Sequence, residues 1–135
     1  MTAQVADISS YEIPDRRYAL IIASKVLQFF RKSAIEDIAA KINKGLARRG
    51  VVFARVFSLD EYEHIRDTSA LELVEPNTYY HRSYKLYQRF FTQEEVLSLF
   101  PKLKLLCCVE GAELVLTQKK PRYRWIIDYL GQRTR

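Results

Sequence analysis

The sequence predicts an α/β fold with a parallel βαβ core and an antiparallel hairpin at its C-terminal end. The continuous apolar run at Tyr18–Ser24 is typical of a strand that is buried on both faces, as in a parallel sheet, and residues 51–57 are expected to form a second strand. The stretch between them has the three- and four-residue apolar spacing of an amphipathic helix. A strand, a helix and a second strand in this order form a βαβ unit, whose strands lie parallel and whose crossover is right-handed.

The first helix is expected to begin at Ser33, because Ser33 and Glu36 have the spacing of a capping box. Its apolar positions form one stripe, which consists of Ala34, Ile35, Ile38, Ala39, Ile42 and Leu46. Arg48 and Arg49 suit the negative end of the helix dipole, and Gly50 suits a left-handed stop. We therefore expect the second strand to follow directly after Gly50.

Further elements are expected on both sides of this unit. They are a strand or its tail at residues 4–8, a short helix near residues 59–65, a helix capped by Thr92 and ended by Pro101, and strands at residues 103–110 and 122–130. In the capped helix, Val96, Leu97 and Phe100 are expected to face inward. The connection at residues 111–121 is long enough for an antiparallel return.

Composition limits the class of protein. The chain has 135 residues, of which 48% are apolar, so a single domain spanning residues 1–135 is expected. Its two cysteines, Cys107 and Cys108, are adjacent in sequence, which favours packing roles in a reduced cytoplasm over a disulfide. No apolar run is long enough to span a membrane, and no secretory signal is visible. The net charge of +6 lies entirely in residues 76–135, which carry 11 basic and 5 acidic side chains.

Four segments resemble parts of one enzyme family. "VADI" at residues 5–8 looks like the end of that family's third strand, and residues 17–30 look like its fourth strand and following loop. Residues 35–58 look like its fourth helix and fifth strand, and residues 89–111 like its last helix and sixth strand. The order resembles the C-terminal half of class I S-adenosylmethionine-dependent methyltransferases, which implies a partial Rossmann-like sheet and a methyltransferase function with an unidentified acceptor.

The glycine-rich turn by which this family holds its cofactor has no counterpart here. The only glycines are Gly45, Gly50, Gly111 and Gly131. Three explanations remain open: a fragment or split product, a chain completed by another polypeptide, or a homologue that folds alone or as a homo-oligomer without the cofactor. Without the family's first strand, residues 20–23 would form a bare apolar sheet edge, which either the N-terminal strand or a second chain would have to cover. We therefore expect a dimer or an aggregation-prone chain.

The resemblance also implies site residues. Asp7 and Ile8 occupy the position that contacts the adenine of S-adenosylmethionine, and a solvated loop carboxylate is the alternative reading. Ser24 and Val26 follow the first strand, where open α/β sheets bind ligands. The acceptor is expected near the aromatic stretch at residues 79–91, which gives Tyr80, His81 and Tyr84 as substrate-binding residues; an aromatic face packed on the sheet is the alternative.

A second class of function is a non-catalytic α/β module that serves in binding or assembly. If residues 79–91 are helical, Arg82, Lys85 and Arg89 form a basic stripe beside the aromatic one, which suits single-stranded nucleic acid. Further basic residues near the hairpin turn extend this patch: Lys119, Lys120, Arg122 and Arg124. No metal site is expected, because His64 and His81 are the only histidines and no cysteine lies near them in sequence.

Overall fold

The computed structural model describes residues 1–116 and 120–135. The main sheet has the order β1-β2-β7-β6 and consists of β1 (Tyr18–Ser24), β2 (Leu46–Phe57), β6 (Lys104–Leu116) and β7 (Pro121–Gln132). A smaller sheet consists of β3 (Leu71–Glu75), β4 (Thr78–His81) and β5 (Leu86–Arg89). The helices are α1 (Lys32–Gly45), α2 (Leu59–Glu63) and α3 (Gln93–Leu99), with a 3-10 helix at Leu27–Phe29.

The parallel core is confirmed. β1 lies parallel to β2, with Ile22 opposite Phe53 and Ser24 opposite Arg55. β7 pairs antiparallel with the other side of β2, and β6 pairs antiparallel with β7. The fold is therefore α/β, with one βαβ unit extended by an antiparallel hairpin, as the sequence predicts.

Helices α1 and α3 cover one face of the main sheet. Their buried side chains meet those of the strands in a single core, which includes Ile35, Ile38, Ile42, Val52, Ala54, Val96, Ile127 and Tyr129. The Tyr129 ring stacks on Phe100 with 4.9 Å between ring centroids. Burial of these side chains supplies the main hydrophobic stabilisation of the domain.

The opposite face of the main sheet is covered only at one end. There, Phe57 and Ile126 pack against Phe90 in a second, smaller cluster under the small sheet. Further along the same face, Leu20 and Ile22 of β1 are 55% and 63% exposed. The expectation that β1 is buried on both faces is therefore wrong: its apolar run is present, but no described element covers its outer side.

The start of α1 differs from the prediction. The N-cap residue is Arg31, not Ser33, and no side chain caps it. Instead, the Lys32 backbone N–H donates to Glu75 Oε1 over 2.7 Å. A carboxylate from β3 therefore accepts a hydrogen bond from the first turn of the helix, where a negative charge is favourable.

The end of α1 also differs. The helix stops at Gly45, and the left-handed residue nearby is Arg49 (φ 64°), whereas no described glycine has a positive φ. Arg133 Nη1 donates to the carbonyls of Asn43 and Leu46 over 2.9 and 3.0 Å. The Asn43 carbonyl is thus bonded to a side chain from the other end of the chain, while the Lys44 and Gly45 carbonyls accept from the Arg16 and Arg17 backbone N–H groups. The helix end is therefore satisfied without Gly50 as a stop.

Residues 79–91 are strands, not a helix. β4 and β5 form a hairpin in which Tyr80 faces Tyr87, and the turn residue Lys85 has a φ of 54°. The expected aromatic and basic helical stripes therefore do not exist. Arg89 is buried and bonded to Glu95, with 2.7 Å between Arg89 Nε and Glu95 Oε1.

The other expected elements are partly confirmed. Thr92 caps α3, since its hydroxyl accepts from the Glu95 backbone N–H over 3.2 Å. Val96 and Phe100 are buried as expected, but Leu97 is 36% exposed. Residues 4–8 form no strand, and β6 continues to Leu116 through most of the expected connection. Of the expected basic patch at the hairpin turn, Lys119 lies outside the described residues.

Candidate functional site

The loop after β1 lies at the carboxyl ends of the parallel strands. Lys25 turns the chain sharply with a φ of 56°, and its backbone N–H donates to the Arg55 carbonyl over 2.8 Å. Gln28 is fully buried, and its Oε1 accepts from the Phe57 backbone N–H over 3.0 Å. The loop that contains Ser24 and Val26 is therefore attached to the end of β2, the place where open α/β sheets bind ligands.

Four charged side chains form a network on the open face beside Ser24. Arg55 donates from Nε and Nη2 to the two carboxylate oxygens of Asp128 over 2.7 and 2.8 Å. Its Nη1 donates to Glu113 over 2.9 Å, and Lys25 Nζ lies 2.7 Å from the same carboxylate. The hydrogen bonds to Asp128 raise the pKa of Arg55 further above its ordinary value. The two cations and the two carboxylates of the network balance in charge, and their bonds link β2, β6 and β7. Each of the four charged groups is therefore paired with another member of the network.

A cavity of about 210 Å³ lies between the small sheet, α2 and β7, next to the end of β2. His81, Tyr84 and Gln88 of the small sheet and its turn line it, together with Phe57. The His81 and Tyr84 rings stack with 4.2 Å between centroids, and His81 Nδ1 accepts from the Tyr84 backbone N–H over 3.2 Å. Two of the three predicted substrate-binding residues therefore share one cavity.

Tyr80 does not line this cavity. It packs edge-on against Tyr87, with 5.6 Å between ring centroids. Because neighbouring residues on a strand point to opposite faces, Tyr80 and His81 cannot both face the same cavity.

The same cavity contains charged residues that sequence reasoning did not single out for it. Glu61 is 6% exposed and accepts from the Trp125 backbone N–H and from Arg122 Nη2, each over 2.9 Å. The Arg124 guanidinium lies 5.5 Å from the centre of the Phe57 ring, and within the described residues its buried Nε has no hydrogen-bond partner. Arg122 and Arg124 are two residues apart on a strand, so both side chains lie on one face of the sheet. This spacing is the sequence signal from which their shared position could have been predicted.

Asp7 and Ile8 lie at a turn that precedes β1. Asp7 Oδ1 accepts from the Ser9 backbone N–H and hydroxyl over 2.9 and 2.7 Å, and these bonds lower the pKa of Asp7. Ile8 packs against the main core. Within residues 1–116 and 120–135, no hydrogen bond or ion pair joins Asp7 or Ile8 to the Ser24–Val26 loop.

These residues do not by themselves fit a nucleoside cofactor. They supply one exposed carboxylate and one strand-end loop, but the described glycines form no turn with positive φ that would let the backbone approach a ligand. Nor do the described residues contain a group of three or more His, Cys, Asp or Glu placed to hold a metal ion. In the same part of the chain, no helix has the length and apolar character needed to cross a membrane.

Comparison with known proteins identifies other structures that have this fold. No protein-family model matches the chain, and no curated protein matches it. Among solved structures, an S-adenosylmethionine-dependent methyltransferase from Methanosarcina mazei superposes with a TM-score of 0.71 at 13% identity, over 96% of this chain and 66% of that one. A methyltransferase of the same description from Clostridium acetobutylicum gives 0.64 at 15% identity, over 96% of this chain and 63% of that one.

A third similar structure contains bound ligands. The 1,6-didemethyltoxoflavin-N1-methyltransferase of Burkholderia thailandensis, solved with 1,6-didemethyltoxoflavin and S-adenosylhomocysteine, gives a TM-score of 0.61 at 14% identity, over 96% of this chain and 49% of that one. This chain therefore has the α/β fold of Rossmann-like methyltransferases. It spans between 49% and 66% of the length of these three structures.

Proposed function

We propose that this chain is the C-terminal portion of a class I S-adenosylmethionine-dependent methyltransferase domain. The observation that carries the proposal is the β1–α1–β2 unit, extended by the β7–β6 hairpin, in a fold that superposes on methyltransferases over 96% of the chain. The similar structures contain additional length that this chain does not match, so the proposal assigns the remaining part of the domain to another stretch of polypeptide.

The cofactor would lie at the carboxyl ends of β1 and β2. Ser24 and Val26 are attached there through Gln28, and Asp7 and Ile8 would contact the adenine once the remaining part of the domain is in place. S-adenosylmethionine supplies a methyl group on a sulfonium, and many enzymes that use it work mainly by holding donor and acceptor in line. This proposal therefore needs no dedicated acid or base in this chain.

The acceptor would bind beside the small sheet. His81 and Tyr84 line the 210 Å³ cavity next to the end of β2, which puts the cavity at the same end of the sheet as Ser24. Tyr80 supports the hairpin through Tyr87 and is assigned a positioning role. The volume suits a small acceptor group rather than a large substrate.

The remaining part of the domain would cover β1. Among residues 1–116 and 120–135, no strand pairs with one side of β1 in the main sheet, and Leu20 and Ile22 are exposed on its open face. An additional parallel strand beside β1, with a helix packed over Leu20 and Ile22, would bury both features. A complementing polypeptide is therefore the proposed partner, and a homo-oligomer is the alternative occupant of the same surface.

Calorimetric titration with S-adenosylhomocysteine tests this proposal. We expect no binding by the chain alone, and micromolar binding by a protein in which the chain is joined to the polypeptide encoded directly upstream. In that protein, Asp7→Ala should weaken binding about tenfold or more, because the adenine loses its acceptor. The control Asp37→Ala removes an exposed carboxylate from α1 and should leave the affinity unchanged. If the joined protein does not bind, the chain is a non-catalytic module.

A further inference from the structure

A concentration of positive charge lies at the end of the main sheet opposite the candidate site. We call it the basal patch. Nine basic residues from five stretches of sequence form it: Arg16, Arg17, Lys44, Arg48, Arg49, Lys102, Lys104, Arg133 and Arg135. Eight of them are exposed and Arg133 is half-buried. Five belong to residues 1–75, whose net charge is zero, so the charge composition gave no signal for them.

Backbone contacts bring these residues together. The backbone N–H groups of Arg16 and Arg17 donate to the Lys44 and Gly45 carbonyls, each over 2.9 Å. The Arg49 N–H donates to the Arg133 carbonyl over 2.9 Å. The end of α1, the start of β2 and the end of β7 therefore meet at one edge.

The start of β6 joins the same edge. Lys104 is paired with Gln132, and the Gln132 side chain donates to the Arg49 carbonyl over 3.0 Å. Lys102 precedes this strand by two residues and lies beside the end of α1. The patch thus extends from β1 across the sheet to β6.

The charge of the basal patch is not neutralised within the described residues. Within the described residues none of the nine basic side chains is in an ion pair with Asp or Glu, whereas Lys25, Arg55, Arg89 and others elsewhere are paired. Arg133 alone is partly occupied, because its Nε donates to an Arg135 main-chain oxygen over 2.7 Å. Two carboxylates lie nearby, Asp15 in sequence and Glu36 at the edge of a groove. A large excess of one sign, with few neutralising partners, attracts a polyanion over a long range.

The patch contains a concave feature. A groove of about 1010 Å³ lies between α1, the segment after α3 and the C-terminal residues. Lys44, Lys102, Arg133 and Arg135 line it, and Ala39 and Leu99 form part of its floor. A flat bilayer cannot enter such a groove, whereas a strand of phosphates can.

We propose that the basal patch binds the phosphate backbone of a nucleic acid. Six of its nine basic residues are arginines, and all but Arg133 are exposed, with planar guanidinium groups that match phosphate oxygens in pairs. Contacts of this kind are independent of base sequence and depend strongly on salt. The patch is separated from the candidate site by the length of β2, whose 12 residues extend roughly 40 Å. The inference is therefore independent of the proposed methyltransferase function.

This surface differs from the one that the sequence suggested. At the aromatic hairpin, Arg89 is buried between carboxylates, and Arg122 is bonded to Glu61. Those two arginines are therefore occupied, whereas the exposed arginines of the basal patch remain available to phosphate.

Fluorescence anisotropy with a labelled random 20-nucleotide RNA, titrated with the full chain at several salt concentrations, tests the proposal. We expect the logarithm of the binding constant to fall linearly with the logarithm of salt concentration. A variant with Arg48→Gln, Lys102→Gln, Lys104→Gln and Arg135→Gln should bind at least about tenfold more weakly, with a salt slope smaller by about one for each contact removed. These side chains are exposed, so the variant should keep its circular dichroism spectrum and melting temperature.

A matched control separates the patch from general basicity. Arg66→Gln with Lys85→Gln removes two exposed cations near the small sheet that form no ion pair with any residue the structure describes, and it should leave affinity and slope nearly unchanged. An affinity that does not change with salt, or equal losses in both variants, would overturn the proposal. Equal binding of polyglutamate would assign the patch to an acidic protein instead, and binding only to vesicles with anionic lipids would assign it to a membrane; either result also overturns it.

Discussion

Arg55 and Asp128 face each other across β2 and β7 and are joined by two parallel hydrogen bonds of 2.7 and 2.8 Å. The guanidinium also reaches Glu113 of β6, so one side chain connects three of the four strands of the main sheet. Their side chains are about three-tenths exposed, which places the pair between a buried and a surface ion pair.

Asp128→Asn should lower the free energy of unfolding by about 1–2 kcal/mol, because the two-point bond to Arg55 loses its charge and one acceptor. Urea denaturation measures this change. The control Glu12→Gln breaks a pair in which the carboxylate is 87% exposed, and it should change stability by less than about 0.5 kcal/mol. Equal effects of the two substitutions would show that the network does not stabilise the sheet.

The purified chain should form dimers or larger species, because the unpaired side of β1 and its exposed apolar residues offer a surface for association. Ile22→Lys should shift the chain toward monomer in multi-angle light scattering. Val5→Lys is the control, since Val5 is an exposed apolar residue that lies outside both sheets. A wild-type chain that stays monomeric at high concentration would contradict this expectation.

Stability should fall in alkaline solution partly through Tyr79. Burial, with a hydrogen bond and charge from Tyr62, raises the pKa of Tyr79 from 10.0 to about 12. Between these values the unfolded chain loses the proton while the folded chain keeps it, so the contribution is complete below pH 10 and is lost as pH rises toward 12.

Tyr79→Phe should therefore reduce the loss of stability between pH 10 and pH 12, measured by urea denaturation at several pH values. Tyr123→Phe changes a tyrosine that is 65% exposed and should leave the pH dependence as in the wild type. If the wild type and both variants show the same dependence of stability on pH, Tyr79 does not contribute to alkaline unfolding.

The elements that depend on local pattern were predictable. The two parallel strands, the Thr92 cap of α3 and the C-terminal hairpin follow from apolar runs and capping residues close together in the sequence. The hairpin at residues 78–89 was not, because aromatic residues suit helix faces and strands alike, and its turn uses Lys85 with φ 54° in place of glycine or asparagine. A left-handed lysine leaves no turn signal in a sequence.

Other differences arise from contacts over long distances in sequence. The end of α1 depends on Arg133, and its start on Glu75, neither of which is visible from the helix itself. In the candidate site, His81 and Tyr84 were predicted and share a cavity, whereas the contributions of Glu61 and Arg124 depend on how the hairpin folds over α2. The apolar pattern of β1 is the same whether its outer face is covered or exposed. The exposure of this face therefore could not be predicted from the sequence of the strand.

The strand order has a consequence for synthesis. β7 follows β6 in the sequence, yet it lies inside the sheet between β2 and β6, and Arg133 beyond it closes the corner between α1 and β2. The sheet therefore cannot close until β7 has been translated, and before then the nascent segments expose apolar surface. A product that is truncated before β7 would lack the strand that joins β2 to β6, and proteolytic clearance would be its expected fate.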